Sequence, residues 1–382
     1  MKVAFLASNL GVVSQPWKSN GRYLMEATGH NIGNMAFWYA ANMLVDAEKV
    51  LIRWDTKASQ LPKDLDALVF PAANFINATA KLDGLTKLIQ DLDLPCLLLG
   101  IGAQAEQENA PPPRNESVIG FLREVSKRTS QICVRGDFTQ KVCAEWGIDN
   151  TVVLGCPSIL MNPRHDLGQV IERKIGAALN TGPYAIHASV IKQSVINIER
   201  DMLRLARLNP GSTYVVQRPI ELIKQALGEE MGDAEMASYN RFADFLGFED
   251  NRPAFETFLR THLYAPTSID SWMHYLQRFT AGINTRIHGT IVGTNAGIPS
   301  LCITHDTRTR ELSRRLALPH IEPKDFMETR FSIASMFKRA QFSGEAFDAN
   351  RCAIAEAYLG VFEKAGVQPS RHLRALGEPV AT

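Results

Sequence analysis

The sequence predicts an α/β protein made of two consecutive parallel-sheet halves, and three observations carry that prediction. Short apolar runs recur along the chain, each followed by a stretch with helical spacing, as buried parallel strands and their crossover helices require. The alternation breaks at a more polar stretch and then restarts. With 382 residues the chain exceeds the usual size of one hydrophobic core. In order, residues 3–7 read as the first strand, followed by a long loop rich in Asn, Gly and Ser and a helix over 35–45 entered through Asn31 to Asn34. Strands are predicted at 49–53, 67–70 and 95–99, with a helix over 81–92 between the last two. After "PPPRNES" come a helix over 118–129, the strand "QICVRG", a helix over 138–146 and a strand at 151–154. The polar stretch "MNPRHDLGQVIERKIG" reads as a linker. The second half follows as strand 184–188, helix 196–208, the strand "STYVVQR", helices across 221–246, a short strand at 262–264 and a helix over 269–279. The segment "TAGINTRIHGTIVGTNAGIPSLCIT" then reads as strand, turn, helix, strand. Residues 347–365 look helical, and the last dozen or so residues read as a fraying tail. The expected division is 1–165, 176–345 and a terminal helix and tail over 346–382.

Composition excludes several classes. Lys and Arg number 41 against 40 Asp and Glu, so no general field draws the chain to nucleic acid or anionic membranes, and any selectivity has to come from a local site. The six cysteines show no CxxC pair and lie in apolar surroundings, the pattern of reduced thiols. The apolar start "MKVAFLASNLG" is too short for a signal peptide, and no apolar run approaches the roughly 20 residues that span a bilayer. A cytoplasmic protein without a transmembrane segment is expected, with docking at the inner membrane face left open.

The candidate site residues stand where strands hand over to helices, the edge at which open parallel sheets bind ligands. Arg286 and His288 sit at such a junction, where a helix N-terminus offers free amides to an anion, the guanidinium adds a two-pronged grip and the imidazole can act as acid or base. The same pair could instead form a salt bridge and pack. Arg135 ends the strand of "QICVRG" and is a second candidate clamp, or a partner of Asp137. Arg308, ahead of Arg310 and after His305 and Asp306, could complete a basic pocket or lie on a solvated helix face. Asn31, Gly33 and Asn34 close the long first loop, and their amides suit a neutral polyhydroxy ligand. Asn74 follows a strand, and Gln104 stands at the rim after Gly100 and Gly102. A dinucleotide fingerprint is rejected there because "EQENAPPP" follows in place of a helix, and no GxxxxGK[ST] loop occurs. His187 ends a strand taken to face the cleft, and His165 lies in the expected linker. No His, Asp or Glu spacing resembles a metal site, so no metal is expected.

Taken in order, "NIGN", "GIGAQ", "ICVRGDFTQKVC", "LGCPSIL" and "NTRIHGTIVGTNAGIPSLCITHDTRTREL" resemble the polysaccharide pyruvyl transferase family, the Arg-x-His-Gly followed by Gly-x-Pro being the most specific part. The resemblance implies two Rossmann-like domains facing across a cleft, GT-B-like, with the acceptor on the first and the donor on the second. It implies transfer of a pyruvyl group from phosphoenolpyruvate, a co-substrate with no other cofactor, to two hydroxyls of a sugar as a cyclic ketal. By resemblance Arg135, Arg286 and His288 are catalytic, and with Gly289 and Arg308 they bind the donor; Arg308 stands where the family often has lysine. Asn31, Gly33, Asn34, Asn74 and Gln104 are assigned to a saccharide acceptor, free or lipid-linked, and a homo-oligomer is left open. The chain departs from the family at Asn34, where Asp is frequent, and at Cys156-Pro157-Ser158, where Asp-Pro-Ala is frequent. Two other readings stay open: a GT-B glycosyltransferase using a nucleotide sugar, and a ligand-binding homologue without catalysis.

Overall fold

The structure, a computed structural model, describes residues 1–378 except 106–109, 177, 178, 180 and 330. In the first half, β1 (Lys2–Leu6), β2 (Glu48–Ile52), β3 (Ala67–Pro71) and β4 (Cys96–Leu99) form a parallel sheet ordered β2-β1-β3-β4. Next to it β5 (Ile132–Val134) and β6 (Thr151–Val153) pair in parallel. A bridge between Ile101 and Val134, with bonds from the Gly100 and Ile101 amides to the Cys133 carbonyl, carries the pairing from β4 across to β5. The alternation of a pleated strand explains the two-sided core. Val3, Phe5, Val69 and Leu97 enter one apolar cluster, while Ala4, Phe70 and Leu98 enter another with Leu88 and Phe121 from the helices Asp83–Leu92 and Glu116–Ser126. Strands buried on both faces are apolar at every position, which is why they were legible in the sequence.

The second half holds β7 (Tyr184–His187), β8 (Thr213–Val215), β9 (Leu263–Tyr264), β10 (Ala281–Asn284), β11 (Ser300–Ile303) and β12 (His320–Ile321) in one sheet ordered β12-β11-β10-β7-β8-β9, parallel throughout. Read from β9, this is the 3-2-1-4-5-6 order of Rossmann domains, whose crevice opens between β7 and β10. In the first sheet the order reverses at β1, so its crevice lies between β1 and β3. The expected pair of Rossmann-like domains is therefore present. The apolar cluster on the Phe5 side runs through the helix Asn34–Leu44 into Ile186, Ile283 and Leu301 of the second sheet, so the halves are packed on each other.

Four expectations need correction. The stretch taken as a linker contains a helix, Leu167–Gly176, with Leu167 and Ile171 buried four residues apart on one face. It lies against the long helix Gly344–Lys364 so closely that a Cβ on Gly168 would sit 2.3 Å from the Gly344 carbonyl oxygen. The polar residues that suggested a linker are its solvent side. The tail expected to fray forms the helix Arg371–Gly377, capped by Ser370, with the His372 ring bonded to the Leu160 carbonyl at 2.6 Å; residues 379–382 lie outside the described residues. The long first loop includes the helix Gly21–Ala27, whose Tyr23 amide donates to the Asn20 side chain at 2.8 Å. His187, finally, does not face the cleft: it is fully buried, its Nδ1 bonded to Asn284 at 2.6 Å and its Nε2 accepting from the Trp272 indole at 3.2 Å. Burial lowers its pKa to about 4, so it is a neutral core residue. The helices Arg252–His262, Pro323–Thr329 and Ile333–Ala340 were not anticipated. Part of "EQENAPPP", on which the dinucleotide reading was rejected, lies at 106–109, outside the described residues.

Candidate active site

Arg286 caps the helix Ile287–Asn295, directly past the carboxyl end of β10. Its Nε donates to the Ala188 carbonyl at 3.1 Å and its Nη2 to the Ser189 carbonyl and, at 3.4 Å, to the Ser189 hydroxyl. Arg135, past the end of β5, is held the same way: Nε donates to the Gly100 carbonyl at 3.0 Å and Nη1 to the Asn74 side-chain oxygen. Gly102 makes room for it, since a Cβ there would lie 2.5 Å from the Arg135 Cδ. Arg135 is 1% and Arg286 5% exposed, and among the described residues neither has a carboxylate at ion-pair distance. Among the described residues the expected alternatives, a salt bridge from Arg286 to a neighbouring carboxylate or from Arg135 to Asp137, are absent. A buried guanidinium held only by neutral carbonyls keeps its whole charge available to a ligand.

Arg308, in the helix Thr307–Arg315, comes to 4.0 Å from Asp306, and its Nε is buried without a partner among the described residues. Asp306 caps the same helix, accepting from the Thr309 amide at 2.8 Å. Burial raises its pKa, but Arg308, His305 and Thr309 outweigh that and hold the carboxyl at about 2. His288, 5% exposed, is the second residue of the helix that Arg286 caps. Burial first, then Arg308, Arg135 and Arg286, press its pKa well below the usual imidazole value, so it is neutral. Burial, Arg218 and Arg308 lower Arg286 to about 9, against the opposing pull of Glu199, and it stays charged at neutral pH. Residues from both halves thus share one positive field around one imidazole.

Sequence reasoning missed four contributors. Gln217, past the end of β8, is 1% exposed, and neither atom of its amide has a partner among the described residues. It borders Gly33: a Cβ on Gly33 would lie 2.3 Å from the Gln217 Oε1 and 2.4 Å from the His288 Nδ1. The Gln217 carbonyl also accepts from the Ile32 amide at 3.1 Å, docking the 31–34 turn on the second half. Arg218, exposed beside it, adds charge felt at Arg286. Glu199, fully buried, takes the Ser189 amide at 2.8 Å and the Thr285 hydroxyl at 2.7 Å, and so fixes the backbone that holds Arg286. Glu311 reaches across the halves to the Thr139 amide at 3.2 Å and hydroxyl at 2.9 Å, and its pKa is raised to about 7, chiefly by burial. The only sequence signal for Gln217 was a polar residue just past a parallel strand.

The remaining expected residues divide into groups. Asn74 and Gln104 bond to each other at 3.0 Å and, through Asn74, belong to Arg135. The Asn31 side chain accepts from the Gly33 amide at 3.1 Å and shapes the turn beside His288. Asn34 donates to the Thr28 and Gly29 carbonyls at 3.0 and 3.2 Å, bonds that an aspartate could not make. Gly289 has a packing role: a Cβ there would lie 2.3 Å from the His187 ring.

Two Rossmann-like domains that bring arginines, two of them buried without a carboxylate at ion-pair distance among the described residues, around a buried histidine define a two-domain α/β protein with a basic interior site. The chain belongs to the polysaccharide pyruvyl transferase family, whose sequence model matches residues 31–307. Among solved structures it is similar to the UDP-GlcNAc 2-epimerase from Neisseria meningitidis bound to UDP-GlcNAc, at 11% identity over 94% of this chain and 100% of that one with a TM-score of 0.44. It is also similar to the S. aureus MnaA–UDP structure, at 11% identity over 94% and 97% with a TM-score of 0.42. No curated protein matches the sequence. Among the described residues no helix is long and apolar enough to cross a membrane.

Proposed function

We propose that this transferase moves a pyruvyl group from phosphoenolpyruvate to two hydroxyls of a saccharide, forming a ketal and releasing phosphate. The observation that supports the reading most is the pair of buried guanidiniums beside His288, Arg135 and Arg286, that lack any carboxylate at ion-pair distance among the described residues. A donor with both a carboxylate and a phosphate satisfies two such forks, one from each domain, and the free amides at the start of the helix Ile287–Asn295. Gln217 and the Arg308 Nε, without partners among the described residues, have donors to spend on the same ligand.

The chemistry needs a proton at the donor's methylene carbon. Once the carbon is protonated, C2 becomes electrophilic; the first sugar hydroxyl adds there and gives up its proton. The second hydroxyl adds as phosphate departs with the C–O bond pair, its proton passes to the phosphate and the ring closes, so that one diol and one phosphoenolpyruvate yield one ketal and one phosphate. His288 is neutral while the arginines stand unopposed, and a bound trianionic donor reverses that field. Donor binding therefore charges His288 and makes it the acid, a role worth about 10²-fold to 10⁴-fold. The test is phosphate release from phosphoenolpyruvate with a panel of sugars: wild type releases phosphate, and His288→Ala, folded by circular dichroism, does not. Equal release by the variant removes His288 from the reaction, and release driven instead by a nucleotide sugar returns the glycosyltransferase reading.

A further inference from the structure

We infer that the hollow at the crevice of the first sheet is the seat of one pyranose ring of the acceptor, received on tryptophan faces. The inference rests on the pyruvyl-transfer reading for its biological meaning, but not for its test. The hollow measures about 110 Å³ and is formed by the segments after β1, β2 and β3 together with the start of the helix Asn34–Leu44. These flank the point where the strand order reverses, the place at which an open parallel sheet binds a ligand. At the roughly 10–15 Å³ a cavity needs to admit one water, the hollow offers about seven to eleven water-sized places, the scale of one sugar ring.

Its walls have the chemistry of a sugar site. Trp38 and Trp54 present indoles, and Phe75 lies against Trp54 with ring centroids 4.8 Å apart. Trp54 is 48% exposed, a large apolar face kept in solvent at the mouth of a pocket, whereas Trp38 is buried at its inner end. Flat aromatic faces take the C–H faces of a pyranose and leave its hydroxyls for polar groups. Asn34 supplies one: its nitrogen is committed to Thr28 and Gly29, and among the described residues its oxygen has no partner, so it can accept from a hydroxyl. Among the described residues none that lines it is acidic, and Arg53 is the one charged group. This favours a neutral or acidic sugar and disfavours one carrying an ammonium group.

The hollow is also placed for reaction. Phe37 lines it, and its ring centroid lies 6.2 Å from that of His288. Gly33, one residue before Asn34, abuts His288 and Gln217. A pyranose seated in the hollow therefore borders Phe37, whose ring neighbours His288. This assigns the departure at Asn34 a positive role: the residue holds the 28–29 turn that walls the pocket and offers an acceptor oxygen, while the position provides no carboxylate base.

Saturation-transfer NMR on the full chain with methyl glucoside, methyl galactoside and methyl mannoside, without phosphoenolpyruvate, tests the assignment. At least one pyranoside should bind saturably, at least tenfold more weakly in Trp54→Ala, and no differently in Arg286→Lys. Since Trp54→Ala also removes the contact with Phe75, Ser8→Trp serves as the second variant; Ser8 is exposed and lines the hollow, so the substitution fills it without touching the core. Loss of binding in both folded variants supports the assignment. Binding unchanged in both, or no pyranoside bound by the wild type, overturns it. Pyranoside binding without any donor binding leaves this site standing and refutes the pyruvyl-transfer reading instead.

Discussion

Replacing Gln217 by leucine should stabilise the empty protein and damage the site. The side chain is 1% exposed, and neither its Oε1 nor its Nε2 has a partner among the described residues. A buried polar atom left unpaired costs about 1–3 kcal/mol, and leucine has nearly the same length with no polar atom to satisfy. Allowing for solvent reaching the amide through the cleft, the substitution returns on the order of 2 kcal/mol. That corresponds to a rise of a few degrees in Tm, using roughly 2–4 °C per kcal/mol for domains of 150–250 residues. The same amide, if it grips the donor anion, contributes a hydrogen bond to a charged group worth about 1.5–3 kcal/mol, so affinity should fall roughly tenfold to a hundredfold. Thermal unfolding of the free protein and calorimetric titration with phosphoenolpyruvate read the two effects separately. Opposite signs, higher Tm and weaker binding, are the expected result. A folded variant that is less stable and binds as wild type would show that the amide serves the scaffold, and would refute the reasoning.

Gly33→Ala should retain the fold yet lose most activity, because the added methyl would lie 2.3 Å from the Gln217 Oε1 and 2.4 Å from the His288 Nδ1, and both would have to move; kcat measured beside a circular dichroism spectrum checks this. Glu311 has its pKa raised by folding from 4.5 to about 7, so the native state binds more protons between those values and its stability falls as pH rises through them. Relative to Glu311→Gln, wild type should lose at most about 3 kcal/mol between pH 4.5 and 7 and little above; parallel stability curves would contradict the raised pKa. Donor binding should draw a proton onto His288, so calorimetric enthalpies should vary with the ionisation enthalpy of the buffer in wild type and not in His288→Gln; equal buffer dependence in both would place the proton elsewhere.

The sheets were legible in the sequence because parallel strands covered on both faces are apolar throughout, as in β3 and β4. Helices fared less well where their polar side dominates: Leu167–Gly176 buries only Leu167, Gly168 and Ile171, and the small residue that sets its approach to Gly344 has no hydrophobic signature. Arg135, Arg286, His288 and Arg308 were found because each sits just past a strand or at a helix start. In the structure Arg135, Arg286 and Arg308 all lower the pKa of His288, which places the four within electrostatic reach of one another. Gln217 and Glu311 were invisible because their meaning lies in distant contacts; Glu311 meets Thr139 across 172 residues of chain. Glu199 acts through the Ser189 backbone, which no side-chain pattern records. The assignment of Asn74 to a sugar was made from its position alone, and only the structure ties it to Arg135.

The central claim is that guanidiniums from the two domains bind one small anion together. Titration of the wild type, Arg135→Gln and Arg286→Gln with phosphoenolpyruvate by calorimetry tests it most directly. One saturable site that weakens as salt rises, and that falls at least tenfold in each variant, is the outcome the account predicts. No binding by wild type, or full affinity in folded Arg135→Gln, would contradict it.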